Sequence, residues 1–138
     1  MKAVLDTNVL VSAFLRDKGK SAQILSQNSR FELLICEEIV AELTDVLNRP
    51  GIRRKETYLE HRVHEYLERL RASGTWVTIA EIENLIPHDP PDNTVLACAV
   101  EGGAKYLVSG NKHLLDLKQH RRVKIVTPAQ FLEILKST

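Results

Sequence analysis

The sequence is short of several things, and each shortage closes a class of function. Its 138 residues include two cysteines, Cys36 and Cys98. They form no CxxC pair and no His/Cys cluster surrounds them. That sets aside a disulfide scaffold or a zinc ribbon and leaves two small buried residues of a reducing compartment. No apolar run approaches the ~20 residues of a membrane-spanning helix. The opening MKAVLDTN meets an Asp at position 6, too early for a secretory signal. A cytoplasmic protein with no membrane partner is the expectation. The formal net charge is +1, so no overall basic field announces nucleic acid, which local patches or metal ions would have to hold. Three Phe, three Tyr and one Trp, in no stacking motif, leave little for extensive base stacking. The glycine motifs of P-loop and dinucleotide folds are missing, as are internal repeats and low-complexity segments.

What is present is ordinary globular composition, 43% hydrophobic and 27% charged, at a length that suits one domain over residues 1–138. Short, almost wholly apolar stretches read as strands: Lys2–Leu5, Phe31–Ile35, Thr75–Ile79, Lys105–Val108 and Val123–Val126. Between them lie helical patterns over Thr7–Leu15, Ser21–Gln27, residues 36–50 up to Pro50, Glu56–Ala72 and Thr94–Glu101. A short helix opens at Ser109–Gly110–Asn111, and a terminal one runs from Pro128 through Leu135. RPGIRRK (49–55) reads as a basic connector and IPHDPPDN (86–93) as a rigid loop. The alternation implies an α/β protein whose parallel sheet is covered by helices on both faces.

Such sheets bind ligands beyond the carboxyl ends of their strands. Asp6 follows the first strand, Ser109 and Asn111 follow YLV, and Asp89 and Asp92 stand at a helix start. Any one such Asp has a plain alternative role as a helix N-cap. Glu42 differs, being mid-helix. On a wheel the apolar arc runs through Val46, Ile39, Leu43, Leu47 and Val40, and Glu42 falls about 40° outside its edge, beside the buried face. Three carboxylates at one sheet edge repel unless a cation neutralises them, and hard oxygens favour Mg²⁺ or Mn²⁺. That arrangement suits metal-assisted phosphodiester hydrolysis.

Four blocks in series carry a resemblance over nearly the whole chain: LDTNVL (5–10), EEIVAEL (37–43), DPPDN (89–93) and YLVSGNKHLL (106–115). Together they resemble the PIN domain, and are most similar to its small single-domain VapC-type toxins of toxin–antitoxin systems. The resemblance implies a three-layer α/β/α sandwich around a mostly parallel sheet of about five strands. It implies a Mg²⁺- or Mn²⁺-dependent ribonuclease acting on RNA, with a possible antitoxin partner and a homodimer. Residue by residue, it makes Asp6, Glu42 and Asp92 the metal-binding and catalytic acids, with Thr7, Asn8 and Ser109 in support. The fourth block departs. Asn111, the fourth candidate catalytic residue, stands where the family commonly has an acid, and an amide oxygen can ligate or hold a water but brings no charge. Asp116 could compensate only if its helix turned it inward.

Cations for a phosphate backbone come in three runs: Arg16, Lys18 and Lys20; Arg49, Arg53, Arg54 and Lys55; and Lys118 to Lys124 with His120, Arg121 and Arg122. Arg16, Lys18, Arg53, Arg54 and Lys112 are the candidate RNA-backbone contacts. His61, His64, His88, His113 and His120 make no metal motif and read as surface or structural residues. Two rivals remain. One is a catalytically weak or inactive PIN fold that binds RNA or protein, motivated by Asn111. The other is a different Asp-centred α/β enzyme. Haloacid-dehalogenase phosphatases want an acid where Asn8 stands, and receiver domains want an acidic pair and a downstream Lys that are not arranged here.

Overall fold

The computed structural model describes residues 1–55, 58–86 and 90–138. Among them six strands form one sheet: β1 (Lys2–Leu5), β2 (Glu32–Ile35), β3 (Thr75–Trp76), β4 (Tyr106–Val108), β5 (Gln119–His120) and β6 (Val123–Val126), in the order β3-β2-β1-β4-β6-β5. β1 lies in the middle, parallel to β2 on one edge and β4 on the other. Having neighbours on both edges and helices on both faces, it shows no polar side, so Ala3, Val4 and Leu5 are all buried. Every pairing is parallel except the β5–β6 hairpin.

The helices are α1 (Thr7–Leu15), α2 (Lys20–Ser26), α3 (Glu37–Leu47), α4 (Pro50–Arg53), α5 (Glu60–Ser73), α6 (Pro90–Glu101), α7 (Lys112–Leu117) and α8 (Pro128–Lys136). α6 lies across β1, β2 and β4, whereas α1 packs on α2 and α3, and α2 on α8. The result is a three-layer α/β/α fold. α8 starts on a capping box: Thr127 accepts from Gln130 N, Gln130 answers to Thr127 N, and Pro128 occupies a first-turn position that needs no N–H. It drives Phe131 into the core, edge-on to Phe31 with ring centroids 5.2 Å apart. Burying that ring completely contributes about 2–3 kcal/mol in transfer terms. Tyr66 of α5 donates its hydroxyl to the Leu10 carbonyl of α1 at 2.6 Å, which ties the two helices together. α6 ends at Gly102–Gly103. A Cβ at Gly102 would stand 2.6 Å from Leu34 Cδ1, and Gly103 has φ +69.

Several boundaries differ from the sequence reading. The sheet has a sixth strand, β5, because Arg121 adopts φ 53 and folds residues 119–123 into a hairpin without a glycine. The basic connector contains α4: Pro50 stops α3 and then opens the next turn, where its missing N–H costs nothing. β3 is two residues long instead of five; Val77 N donates to Ile35 O as the last bond before the chain leaves the sheet. α6 begins at Pro90, four residues ahead of Thr94, since two prolines suit a first turn. The start proposed for α5 at Glu56, and the loop residues His88 and Asp89, lie outside the described residues.

β1 leads to β2 and β3 on one side of the sheet, while β4, β6 and β5 lie on the other. The switch point therefore falls between β1 and β4, and the carboxyl ends of these two strands are where such sheets bind ligands. The register pairs Leu5 with Val108, so the next residues on each strand, Asp6 and Ser109, stand side by side there.

Candidate functional site

Asp6 is the residue between β1 and α1. Its backbone N–H continues the sheet by donating to Val108 O, and its carbonyl starts the helix by accepting from Val9 N and Leu10 N. Its side chain makes no capping bond to α1. Instead Oδ2 accepts the Ser109 hydroxyl at 2.7 Å, a buried charge-assisted bond between neighbouring strand ends. The plain capping reading of Asp6 is therefore wrong. Both partners are shut from water, Asp6 at 4% exposure and Ser109 at 0%.

Ser109 works in both directions. While its hydroxyl donates to Asp6, its Oγ accepts from Asn111 N at 2.9 Å. Asn111 caps α7, with Oδ1 accepting from His113 N at 2.8 Å, and its Nδ2 donates to Asp92 Oδ2 at 2.8 Å. A backbone N–H can only meet the oxygen, so this fixes which way the amide points. The Asn111 oxygen, which could have ligated a metal or held a bound water, serves the helix instead, and the site receives a donor. Asp92 itself sits in the first turn of α6, where the positive helix end favours a carboxylate, and is 4% exposed.

Glu42 joins from α3. Its Oε2 accepts the Thr7 hydroxyl at 3.1 Å, and Thr7 is buried at the start of α1. Glu42 is half-buried, at the margin of the face formed by Ile39, Leu43 and Leu47, where the helix wheel puts it. Thr7 thus holds Glu42, while Ser109 is a side-chain donor to Asp6; Asn8 is exposed on α1. The structure brings Asp6, Asp92, Asn111, Ser109, Thr7 and Glu42 to one edge of the sheet.

The proposed backbone cations do not gather with them. Arg16 is the C-cap of α1, about 14 Å along the helix from Asp6, and Lys18 follows it in an exposed turn. Arg53 and Arg54 are exposed at the end of α4, with Arg53 stacked over Tyr58. Lys112 alone of the five follows directly on a residue of the site, exposed beside Asn111. Asp116 is exposed on α7 and does not replace the missing acid. His61 and His64 are exposed on α5, the latter 3.1 Å from Glu68.

One residue of the assembly went unrecognised in the sequence. Asn93 is buried next to Asp92, with Oδ1 accepting from Leu85 N and Ile86 N and Nδ2 donating to Ile86 O and Asn84 Oδ1. It clamps the segment before the described start of α6 onto that helix, and so fixes the approach to Asp92. The only signal was an Asn beside the chosen Asp, in a loop already rich in capping residues.

The donor set bears on a cation. Among the described residues no group of three or more His, Cys, Asp or Glu side chains is placed to hold a metal ion by itself. The two ends of the bridge are nevertheless hard oxygen ligands, nearly buried carboxylates, with no thiolate or imidazole between them. That chemistry fits a small divalent ion which keeps several of its waters and takes few protein ligands. Asp6 and Asp92, with Glu42 at the rim, are the residues that would hold it.

Comparison with known proteins follows the same lines. A family model described as PIN domain matches residues 2–113. An uncharacterized protein of Methanocaldococcus jannaschii is 28% identical over 150 residues, covering 96% of this chain and 90% of its own. Among solved structures, a chain in the crystal structure of VapBC2 from Rickettsia felis bound to a DNA fragment from their promoter matches with a TM-score of 0.64. The match covers 92% of this chain and 98% of that one at 15% identity, a likeness of fold.

Proposed function

The chain belongs to the PIN domain family, and on that premise we propose that it is a Mg²⁺- or Mn²⁺-dependent endoribonuclease, the toxin of a toxin–antitoxin pair. Residues 1–138 are read as one such domain. The observation that carries the proposal is the bridge from Asp6 through Ser109 and Asn111 to Asp92. It holds two buried carboxylates in fixed directions across β1, β4 and α6, an arrangement the packing of the sheet does not require.

A divalent ion there would supply electrostatic stabilisation and water activation for phosphodiester hydrolysis. Asp6 and Asp92 would bind it, each already oriented by its neutral donor. Glu42, held by Thr7 and half-exposed, is the carboxylate that can orient an attacking water from the solvent side. In-line attack at phosphorus would leave a 5′-phosphate and a 3′-hydroxyl. Lys112 is the cation best placed for the RNA backbone; the other basic runs serve a long substrate, if any. The matched Rickettsia felis structure is a VapBC2 assembly on promoter DNA, which supports an antitoxin partner and, through it, oligomerisation. A homodimer in the cytoplasm is the working assembly, and among the described residues no helix is long and apolar enough to cross a membrane.

The test is cleavage of single-stranded and structured RNA in Mn²⁺, in Mg²⁺ and in EDTA, with Asp6→Asn and Asp92→Asn in parallel. Metal-dependent cleavage that drops at least ~100-fold in each variant, with circular dichroism unchanged, is the expected result. Full activity in both variants would sink the assignment. A second reading, a PIN fold that binds RNA or protein with little or no catalysis, is favoured by the Asn111 donor. It predicts a metal-induced rise in melting temperature, abolished by Asp6→Asn, with no cleavage of any RNA.

A further inference from the structure

We propose that Asn111 limits how many divalent ions this chain can hold, by placing an N–H donor where a charged side chain would seat a cation. The proposal rests on the reading of Asp6 and Asp92 as cation-binding acids. Asn111 is pinned from both ends: Oδ1 accepts from His113 N, and Nδ2 faces Asp92 Oδ2, each at 2.8 Å. The amide cannot turn over without setting two donors against each other at His113 N. The gap between Asp92 and residue 111 is therefore filled by a hydrogen atom, and a cation is kept out of it.

An Asp at this position has the same shape. One of its oxygens would keep the cap on α7, since Asp caps a helix as well as Asn does. The other would stand where Nδ2 now stands, opposite Asp92 Oδ2. Two anionic oxygens 2.8 Å apart repel. Yet adjacent ligands of an octahedral ion with bonds of ~2.1 Å lie about 3 Å apart. The same gap is an amide bridge in this chain and a cation seat in Asn111→Asp.

Calorimetric titration with Mn²⁺ alone counts the ions on the native chain, on Asn111→Asp and on Asn111→Ser. Ser keeps a capping oxygen, adds no charge and is too short to face Asp92. The expected result is one more ion on Asn111→Asp than on the native chain, and the native count on Asn111→Ser. Equal counts on the native chain and Asn111→Asp overturn the proposal; an extra ion on Asn111→Ser besides that on Asn111→Asp supports it, since Ser removes the same N–H donor. Should Asn111→Asp not fold without metal, recovery of its circular dichroism in millimolar Mn²⁺ supports the proposal and continued unfolding overturns it. A native chain with no ion and a variant with one would remove the Asp6-centred reading and leave this inference standing. One ion on both would do the reverse.

Discussion

Removing the Ser109 hydroxyl isolates the bridge from the chemistry it serves. Ser109→Ala deletes a buried 2.7 Å bond to a carboxylate and takes away the acceptor of Asn111 N at 2.9 Å. A hydrogen bond to a charged group contributes about 1.5–3 kcal/mol, and a buried N–H that loses its partner adds a share of its own desolvation penalty. At 0% exposure no water can step into the space without rearrangement. The expected loss is about 2–4 kcal/mol. For a chain of this length each kcal/mol moves Tm by about 3–5 °C, so a drop of roughly 6–20 °C should appear in a thermal melt.

The same melt separates this account from a simple cavity effect. In an Asp6→Asn background the charge is gone, and Ser109→Ala should cost only about 1–2 kcal/mol, a neutral bond plus the same share for Asn111 N. The coupling between the two positions is then about 1–2 kcal/mol, within reach of a double-mutant cycle. Equal costs in both backgrounds would refute the reasoning, because Ser109 would then be filling space and not steadying a charge.

Asn93→Ala removes four hydrogen bonds, two of them to backbone N–H groups. It should cost about 2–4 kcal/mol in urea denaturation and weaken Mn²⁺ binding by loosening the approach to Asp92. Tyr66→Phe keeps the ring contact with Phe14 but loses the 2.6 Å bond to Leu10 O, for a cost of about 1–1.5 kcal/mol with cleavage retained. Glu83 is held below its ordinary value of 4.5, chiefly by its hydrogen bond to Arg121. A depressed carboxylate contributes stability above its unfolded pKa and loses it as pH falls through the lower folded one. The native chain should therefore melt above Glu83→Gln at pH 7, and the difference should begin to shrink as pH falls below about 4.5 and vanish below the lower folded value; a constant difference would count against the ion pair.

How much of this was legible in advance depends on the physics of each part. β1, α1, β6 and the buried face of α3 were readable because periodicity and apolar runs are local and strong. Asp6, Glu42 and Asp92 were readable as acids at strand ends or beside a core face. The hairpin β5–β6 was not, since it depends on Arg121 accepting a left-handed backbone that no side-chain type announces. α4 hid behind a proline that ends one helix and starts another, and a single residue cannot signal which. Asn93 was hidden for a different reason: its partners Leu85 and Ile86 offer backbone groups, and backbone groups leave no mark in a sequence.

The contrast between Asp6 and Asn111 shows what a sequence leaves undecided even at a well-chosen residue. Both stand between a strand end and a helix, and both are residue types that cap helices. At Asp6 the register of β1 on β4 brings Ser109 within reach, so the side chain turns across the strands and leaves α1 uncapped. At Asn111 the backbone N–H is already taken by Ser109, the oxygen turns to His113, and only the amide nitrogen remains for Asp92. Ser109 thus sets the direction of Asp6 and holds the backbone of Asn111, while His113 N sets the amide. That makes Ser109, which carries no charge, the residue that touches both Asp6 and the backbone of Asn111. If so, Ser109→Ala should disturb Mn²⁺ binding more than Thr7→Ala, which touches Glu42 alone. A larger loss of affinity in Thr7→Ala would move the organising role to the α3 side of the site.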